Sequence, residues 1–241
     1  MKTILRNLTD LFFPKVCQHC GDSFKDGLSN ILCRSCFDSV VPFEDPLCEH
    51  CGFPLPARGF EDALQKRCRD CGDQDYFLDR VRAFGSYEGP VRIMHHAFKF
   101  EGMESLKTNI AIKMADMTTG HFLDGVEALT AVPLSPERER ERGYNPASLI
   151  AEEISRQVNI PTRALLKKSL STRPQMSLKR AERMKNPLGA YSVVEGNLPT
   201  KIILIDDVYT TGATLEECAK VLKKAGVVWV GALVFGRTPH H

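Results

Sequence analysis

The stretch that most constrains the fold of this chain is residues 202–214, which read Ile-Ile-Leu-Ile-Asp-Asp-Val-Tyr-Thr-Thr-Gly-Ala-Thr. Four consecutive branched apolar residues are typical of a strand buried on both faces of a parallel sheet. Such a strand brings Asp206 and Asp207 to its carboxyl end, where ligands bind in open α/β sheets. The following turn opens an amphipathic helix at 215–224, and a helix N-terminus can bind phosphate. The sequence therefore predicts two carboxylates for vicinal hydroxyls beside a phosphate site, the groups that ribose 5-phosphate carries.

The rest of the chain after residue 75 alternates strand-like with helix-like segments. The strand-like segments are 81–87, 128–132, 164–168, 190–194 and 227–235. The helix-like segments in the same part of the chain are 89–98, 104–119 and 145–158. This alternation predicts an α/β fold in which helices flank a parallel sheet.

The run at 202–214 resembles the signature of the type I phosphoribosyltransferases. The resemblance implies that Asp206 and Asp207 hold the ribose 2′- and 3′-hydroxyls of phosphoribosyl pyrophosphate (PRPP) during catalysis. It also implies a 5′-phosphate loop made of Thr210, Thr211, Gly212, Ala213 and Thr214, with Mg²⁺ bound to the pyrophosphate. The alternative, from the residues alone, is an ordinary strand end with a capping Asp and a Thr-Gly turn.

Eight of the nine cysteines fall before residue 72 in four C-x-x-C pairs: Cys17 and Cys20, Cys33 and Cys36, Cys48 and Cys51, and Cys68 and Cys71. Two such pairs supply the thiolates of one tetrahedral zinc site, so four pairs predict two structural zinc ions. The pairs could combine in sequence order or in an interleaved cross-brace, and the spacing leaves both arrangements open. His19 and His50 lie within or beside the pairs, and we expect them to be spectators rather than ligands.

The alternative to zinc is a disulfide framework, which requires an oxidising compartment. Residues 1–15 instead predict a short amphipathic helix, because charged residues interrupt the apolar run that a signal peptide needs. No stretch approaches the roughly 20 apolar residues that span a bilayer. We therefore expect a cytoplasmic protein without a membrane span. Its two expected domains are a small Cys-rich double zinc ribbon at 1–75, including the short N-terminal helix, and a phosphoribosyltransferase-like domain at 76–241.

Three further segments are similar to the ComF family of competence-associated and DNA-utilisation proteins, also called GntX-like. They are Tyr87-Glu88-Gly89-Pro90-Val91 with Lys99-Phe100-Glu101-Gly102, then Val132-Pro133-Leu134 through Arg142-Gly143-Tyr144-Asn145, and then Thr172, Gln175, Leu178, Arg183 and Asn186. With the cysteine pairs added, the resemblance covers almost the whole chain. It implies a phosphoribosyltransferase-like protein that serves DNA uptake or utilisation. The partners it implies are a competence helicase or another protein of the uptake machinery.

Two basic features predict anionic ligands. Arg140 and Arg142 follow the strand 128–132 and are placed to reach a pyrophosphate, although a solvated helical turn of alternating charge explains them equally well. From Arg163 to Lys185 the chain has eight basic residues and a single acidic one, Glu182. Such an excess favours contact with an anionic partner, for which single-stranded DNA is the candidate.

The sequence does not identify the nucleophile that would accept a phosphoribosyl group. His95 and His96 are adjacent on a predicted helix, and no partner for either is visible nearby. Two functions therefore stay open. One is a phosphoribosyltransferase, in the glycosyltransferase class, with an unknown acceptor. The other is a single-stranded DNA-handling or adaptor protein in which the phosphoribosyl pocket is a sensor rather than a catalyst.

Overall fold

The structure of the protein is a computed structural model that describes residues 14–56, 66–72, 74–118, 120–168, 189–194 and 196–239. The N-terminal elements are β1 (Lys15–Val16), β2 (Ser23–Phe24), β3 (Gly27–Leu28), β4 (Leu32–Cys33) and α1 (Arg34–Asp38). They are followed by β5 (Arg80–Ser86), α2 (Gly89–Phe100), α3 (Lys107–Ala115), β6 (Ala128–Ala131), α4 (Pro136–Arg142), α5 (Pro146–Val158), β7 (Leu166–Lys168), β8 (Tyr191–Val193), β9 (Lys201–Tyr209), α6 (Ala213–Lys224) and β10 (Trp229–Arg237). Short 3-10 helices lie at Glu104–Leu106, Asp116–Thr118 and Gly120–Phe122.

The central sheet has four strands in the order β5-β10-β9-β6, and every neighbouring pair is parallel. The apolar run of β9 is fully buried, as the sequence predicts. Its side chains alternate between the faces: Ile203 and Ile205 pack with residues of α2, α3 and α5, whereas Ile202 and Leu204 pack with residues of α6. The predicted α/β fold, with helices flanking a parallel sheet, is confirmed.

The cysteine-rich region has two halves. The first consists of two short antiparallel strand pairs, β1 with β2 and β3 with β4, and the second contains an antiparallel bridge between Leu47 and Pro54. Each half packs on a different face of the sheet. The half that contains Cys17 shares a hydrophobic cluster with Phe84 of β5, and the half that contains Cys48 shares one with Val81 of the same strand. The ribbons therefore complete the core at the β5 side of the sheet.

Segments 164–168 and 190–194 depart from the predicted topology. They form β7 and β8, which pair antiparallel with each other and do not join the parallel sheet. In β7 the buried Leu166 is followed by the exposed Lys167, and in β8 the buried Tyr191 is followed by the exposed Ser192. This pattern suits a strand pair with one covered face, whereas strands inside a parallel sheet are covered on both. Segment 104–119 also differs, since α3 lies between two 3-10 helices.

Several sequence-based predictions concern residues outside the described ranges. They include nearly all of the predicted N-terminal helix, the motif residues Thr172 to Asn186, and most of the basic segment 163–185. Within the described ranges, every helix is too short or too polar to cross a membrane.

Candidate functional site

A cavity of about 350 Å³ lies at the carboxyl edge of the central sheet. Three of the four strand ends contribute to its wall: Tyr87 directly follows β5, Val132 directly follows β6, and Asp206 and Asp207 lie near the end of β9. The strands are parallel, so these residues meet at one edge although they are far apart in the sequence. The predicted carboxylate pair therefore faces the cavity.

Asp207 is the more heavily bonded of the two carboxylates. Its Oδ1 accepts the Val208 N–H at 2.8 Å, and its Oδ2 accepts hydrogen bonds from His95 Nε2, at 3.1 Å, and from Lys99 Nζ. Asp206 Oδ1 accepts the backbone N–H of Asp207 at 2.9 Å. Within the described ranges, Asp206 has no ion pair. The two adjacent carboxylates are therefore chemically unequal.

The same contacts drive the pKa values of the pair apart. Burial, together with the negative charge of Asp207, raises the pKa of Asp206 to about 7. Burial acts in the same direction on Asp207, but the hydrogen bond from His95 and the charge of Lys99 outweigh it and hold the pKa of Asp207 well below its usual range. Asp207 is thus ionised at neutral pH, while Asp206 binds a proton readily.

His95 is a site residue that the sequence did not reveal. Its side chain is buried, with 5% of its surface exposed. The Tyr87 hydroxyl lies 2.7 Å from Nδ1, so it donates to that nitrogen while Nε2–H donates to Asp207. His95 and Asp207 are 112 positions apart in the sequence. The available sequence signal is the spacing of His95 and Lys99, which places both on one face of a helix.

The predicted phosphate loop leads into α6. Thr210 and Thr214 line the cavity, and Thr211 Oγ1 accepts the Ala213 N–H at 3.4 Å. Gly212 has φ 76°, and a Cβ there would lie 2.5 Å from the Tyr209 hydroxyl, so a larger residue does not fit. Because the residue that caps α6 has no side chain, the next two N–H groups of the first turn, those of Thr214 and Leu215, remain available to an anion.

Cationic side chains also line the cavity. Arg142 lines it, together with Arg138, Lys99 and Lys168. Arg140 is exposed on α4 and does not line the cavity. Arg138 and Arg142 are four residues apart and share one helix face, whereas Arg140 lies between them on the opposite side. Burial and the nearby charge of Arg138 lower the pKa of Lys168.

The eight paired cysteines form two groups of four sulfur atoms. The first contains Cys17, Cys20, Cys33 and Cys36, and the second contains Cys48, Cys51, Cys68 and Cys71; within each group all sulfurs lie within 4.8 Å of one another. The pairs therefore combine in sequence order, not in a cross-brace. Four closely spaced thiolates suit structural zinc. Neither His19 nor His50 belongs to a group, although His19 Nδ1 lies 3.4 Å from Cys36 Sγ.

The second cysteine group is connected to the phosphate loop. Arg237 Nη1 donates to the carbonyl of Cys51 at 2.7 Å, and its guanidinium lies 4.7 Å from the ring centre of Tyr209. Tyr209 in turn contacts Gly212. In the first turn of α6, the Glu216 carboxylate accepts the Phe77 N–H at 3.0 Å. The second cysteine group is thus linked to one side of the loop through Arg237 and Tyr209, and the backbone that follows the group, at Phe77, is hydrogen-bonded to the other side.

Comparison with known proteins agrees with the two paired cysteine sites. Residues 8–72 match the double zinc ribbon domain family. The chain is 32% identical over 224 residues to competence protein F of Haemophilus influenzae, covering 90% of this chain and 94% of that protein. It is 29% identical over 201 residues to competence protein ComFC of Bacillus subtilis, covering 81% and 79%. The chain belongs to the ComF family of competence proteins.

Among solved structures, the chain overlaps with glutamine phosphoribosylpyrophosphate amidotransferase from B. subtilis in complex with ADP and GMP. The TM-score is 0.36, the identity is 19%, and the overlap covers 54% of this chain and 26% of that chain.

Freshly purified, reduced protein is expected to hold about two zinc ions per chain, because its thiols form two four-sulfur groups. Cys48→Ser should lower the content to about one. Cys218→Ser is the matched control, since Cys218 is buried in α6 outside both groups, and it should leave the content unchanged. Elemental analysis measures this directly. A folded, zinc-free wild type would contradict the assignment.

The raised pKa of Asp206 predicts a pH-dependent effect on stability. The folded state holds this proton more tightly than the unfolded chain, so the contribution of Asp206 to wild-type stability should fall as the pH rises from about 4 to about 7. Asp206→Asn removes that loss and should raise the urea midpoint relative to wild type more at pH 8 than at pH 5. Asp116→Asn, at an exposed position, is the control. If the urea midpoints of Asp206→Asn and wild type differ by the same amount at both pH values, this prediction is wrong. At each pH all proteins are compared with one another, so the titration of the cysteines affects each of them alike.

Proposed function

We propose that this protein binds PRPP, or a related ribose 5-phosphate ligand, at the carboxyl edge of β9. The observation that carries the proposal is that Asp206, Asp207, Thr210 and Thr214 line one cavity. Carboxylates accept hydrogen bonds from vicinal hydroxyls, and a helix N-terminus binds phosphate. A sugar phosphate with free ring hydroxyls is the kind of ligand that uses both.

The basic side chains that line the cavity support a diphosphate as the third group of the ligand, beside the ring hydroxyls and the 5′-phosphate. Arg138, Arg142 and Lys168 all line it. The Nη1 atom of Arg142 is buried and has no hydrogen-bond partner within the described ranges. A buried donor without a partner is costly, so an anionic ligand group that accepts from it would stabilise the site. Mg²⁺ would enter with the diphosphate and neutralise part of its charge.

As a reaction we propose phosphoribosyl transfer, which is glycosyltransferase chemistry. The bond between C1 and the pyrophosphate oxygen breaks, pyrophosphate leaves with the electron pair, and the acceptor's nucleophilic atom forms the new bond to C1. Asp206 and Asp207 hold the ring hydroxyls and oppose the positive charge that grows on the ring. Contacts of the 5′-phosphate with residues 210–214 supply binding energy at a distance from the reacting carbon.

The names of the relatives support a biological process in which this activity is used. Both relatives are named for competence, and we propose that this chain likewise serves DNA uptake or utilisation. We propose a competence helicase or another uptake protein as its partner, with single-stranded DNA bound by the basic segment 163–185. A cytoplasmic location is proposed because thiolate metal sites require a reducing environment.

Titration calorimetry with PRPP and Mg²⁺ at pH 8 tests the proposal. Asp206→Asn and Asp207→Asn keep the side-chain shape but remove the charge, so each should weaken binding roughly tenfold to a hundredfold. Asp116→Asn, a charge removal at an exposed position, should bind like wild type. Equal affinity of wild type and both site variants would refute the proposed site. Tight binding without pyrophosphate release, with nucleobase and amine acceptors supplied, would favour a sensor over an enzyme.

A further inference from the structure

Asp207 already has a cation at the position where a ligand hydroxyl would bind. The carboxylate is 15% exposed, and Lys99 Nζ contacts the same oxygen that accepts from His95. Oδ1 is engaged by the Val208 N–H. A carboxylate has about four lone-pair positions, and three donors already use Asp207. His95 and Lys99 both donate to Oδ2, so a ribose hydroxyl that bonds to this oxygen competes with one of them.

The three donors differ in how easily they can leave. The Val208 N–H is part of the backbone of β9. His95 is buried, and the Tyr87 hydroxyl holds its other nitrogen at 2.7 Å. Lys99, by contrast, has a flexible side chain that is 23% exposed, and it lies one helical turn after His95 on the same face of α2. Lys99 is the donor that can move.

A neutral hydroxyl does not replace the charge that Lys99 gives to Asp207. Displacement of Lys99 therefore becomes more favourable when its ammonium group meets another anion in the cavity. Lys99 lines the same cavity as Arg138, Arg142 and Lys168. A ligand with a diphosphate on C1 would present both the hydroxyls and this second anion, whereas ribose 5-phosphate presents the hydroxyls and a phosphate at the far end.

We propose that Lys99 is a specificity-determining residue that exchanges its partner: it pairs with Asp207 in the free protein and with the C1 diphosphate of the ligand in the complex. The inference rests on the proposed function, since it concerns the ligand of the same cavity. The exchange makes the site favour the diphosphate-bearing ligand over the plain sugar phosphate, because only the former supplies a new partner for Lys99.

Calorimetric titration of wild type, Lys99→Met and Lys99→Arg with two ligands, PRPP and ribose 5-phosphate, tests this at one pH and one Mg²⁺ concentration. Lys99→Met should lose roughly tenfold to a hundredfold in affinity for PRPP. The same variant should keep or increase its affinity for ribose 5-phosphate, because no lysine then competes for Asp207. Lys99→Arg keeps the positive charge and should retain most of the PRPP affinity.

The control is Lys224→Met, which removes one exposed lysine charge at the far end of α6 and should bind both ligands like wild type. Equal zinc content and equal urea midpoints establish that the variants are folded. The inference is overturned if Lys99→Met weakens both ligands equally, or if it leaves PRPP binding unchanged. A wild type that binds neither ligand overturns the proposed function itself, a result visible before any variant is compared.

Discussion

Burial of residues 202–205 on both faces of the sheet is the constraint on which the rest of the structure depends. All four side chains are fully buried, and each contributes about 1.5 to 3 kcal/mol relative to an exposed position. β9 must therefore lie inside the sheet, with helices on both faces and β10 and β6 as neighbours. The polar residues that follow the apolar run have only the carboxyl edge to occupy. Asp206 and Asp207 are thereby placed where burial acts on both carboxylates and the contacts of Asp207 with His95 and Lys99 separate their pKa values. The chain then turns directly into the N-terminus of α6.

The cysteine-rich region packs against the central sheet and shares its hydrophobic core. Its two halves pack on opposite faces of the sheet beside β5. In a segment with little aliphatic core, metal binding supplies the free energy that fixes the chain. Arg237 then connects the backbone of Cys51 to Tyr209, whose ring determines that residue 212 is glycine. Order in the second metal site should therefore be communicated to the phosphate loop through packed side chains and hydrogen bonds.

The sequence predicted those features that depend on residues close together in the chain. The apolar run, the loop at 210–214 and the cysteine pairs follow from adjacent residues, and the strand and helix order follows from their alternation. The roles of His95, Lys99 and Arg138 were missed because their contacts depend on how the strand ends meet. The sequence offered Arg140 and Arg142 as candidates for pyrophosphate contact, with a solvated helical turn as an equal alternative. The helical geometry of α4 places Arg138 rather than Arg140 beside Arg142. Spacing likewise could not distinguish paired from cross-braced cysteines, or show that β7 and β8 form a separate antiparallel pair.

A crystal structure of the wild-type protein in complex with PRPP and Mg²⁺ tests the central claim most directly. The account predicts ribose hydroxyls on Asp206 and Asp207, the 5′-phosphate at the N-terminus of α6, and the diphosphate beside Arg138 and Arg142. Lys99 Nζ should have left Asp207 and should contact the diphosphate. Electron density for the ligand at a different surface, or a ribose that does not contact either carboxylate, would contradict the account.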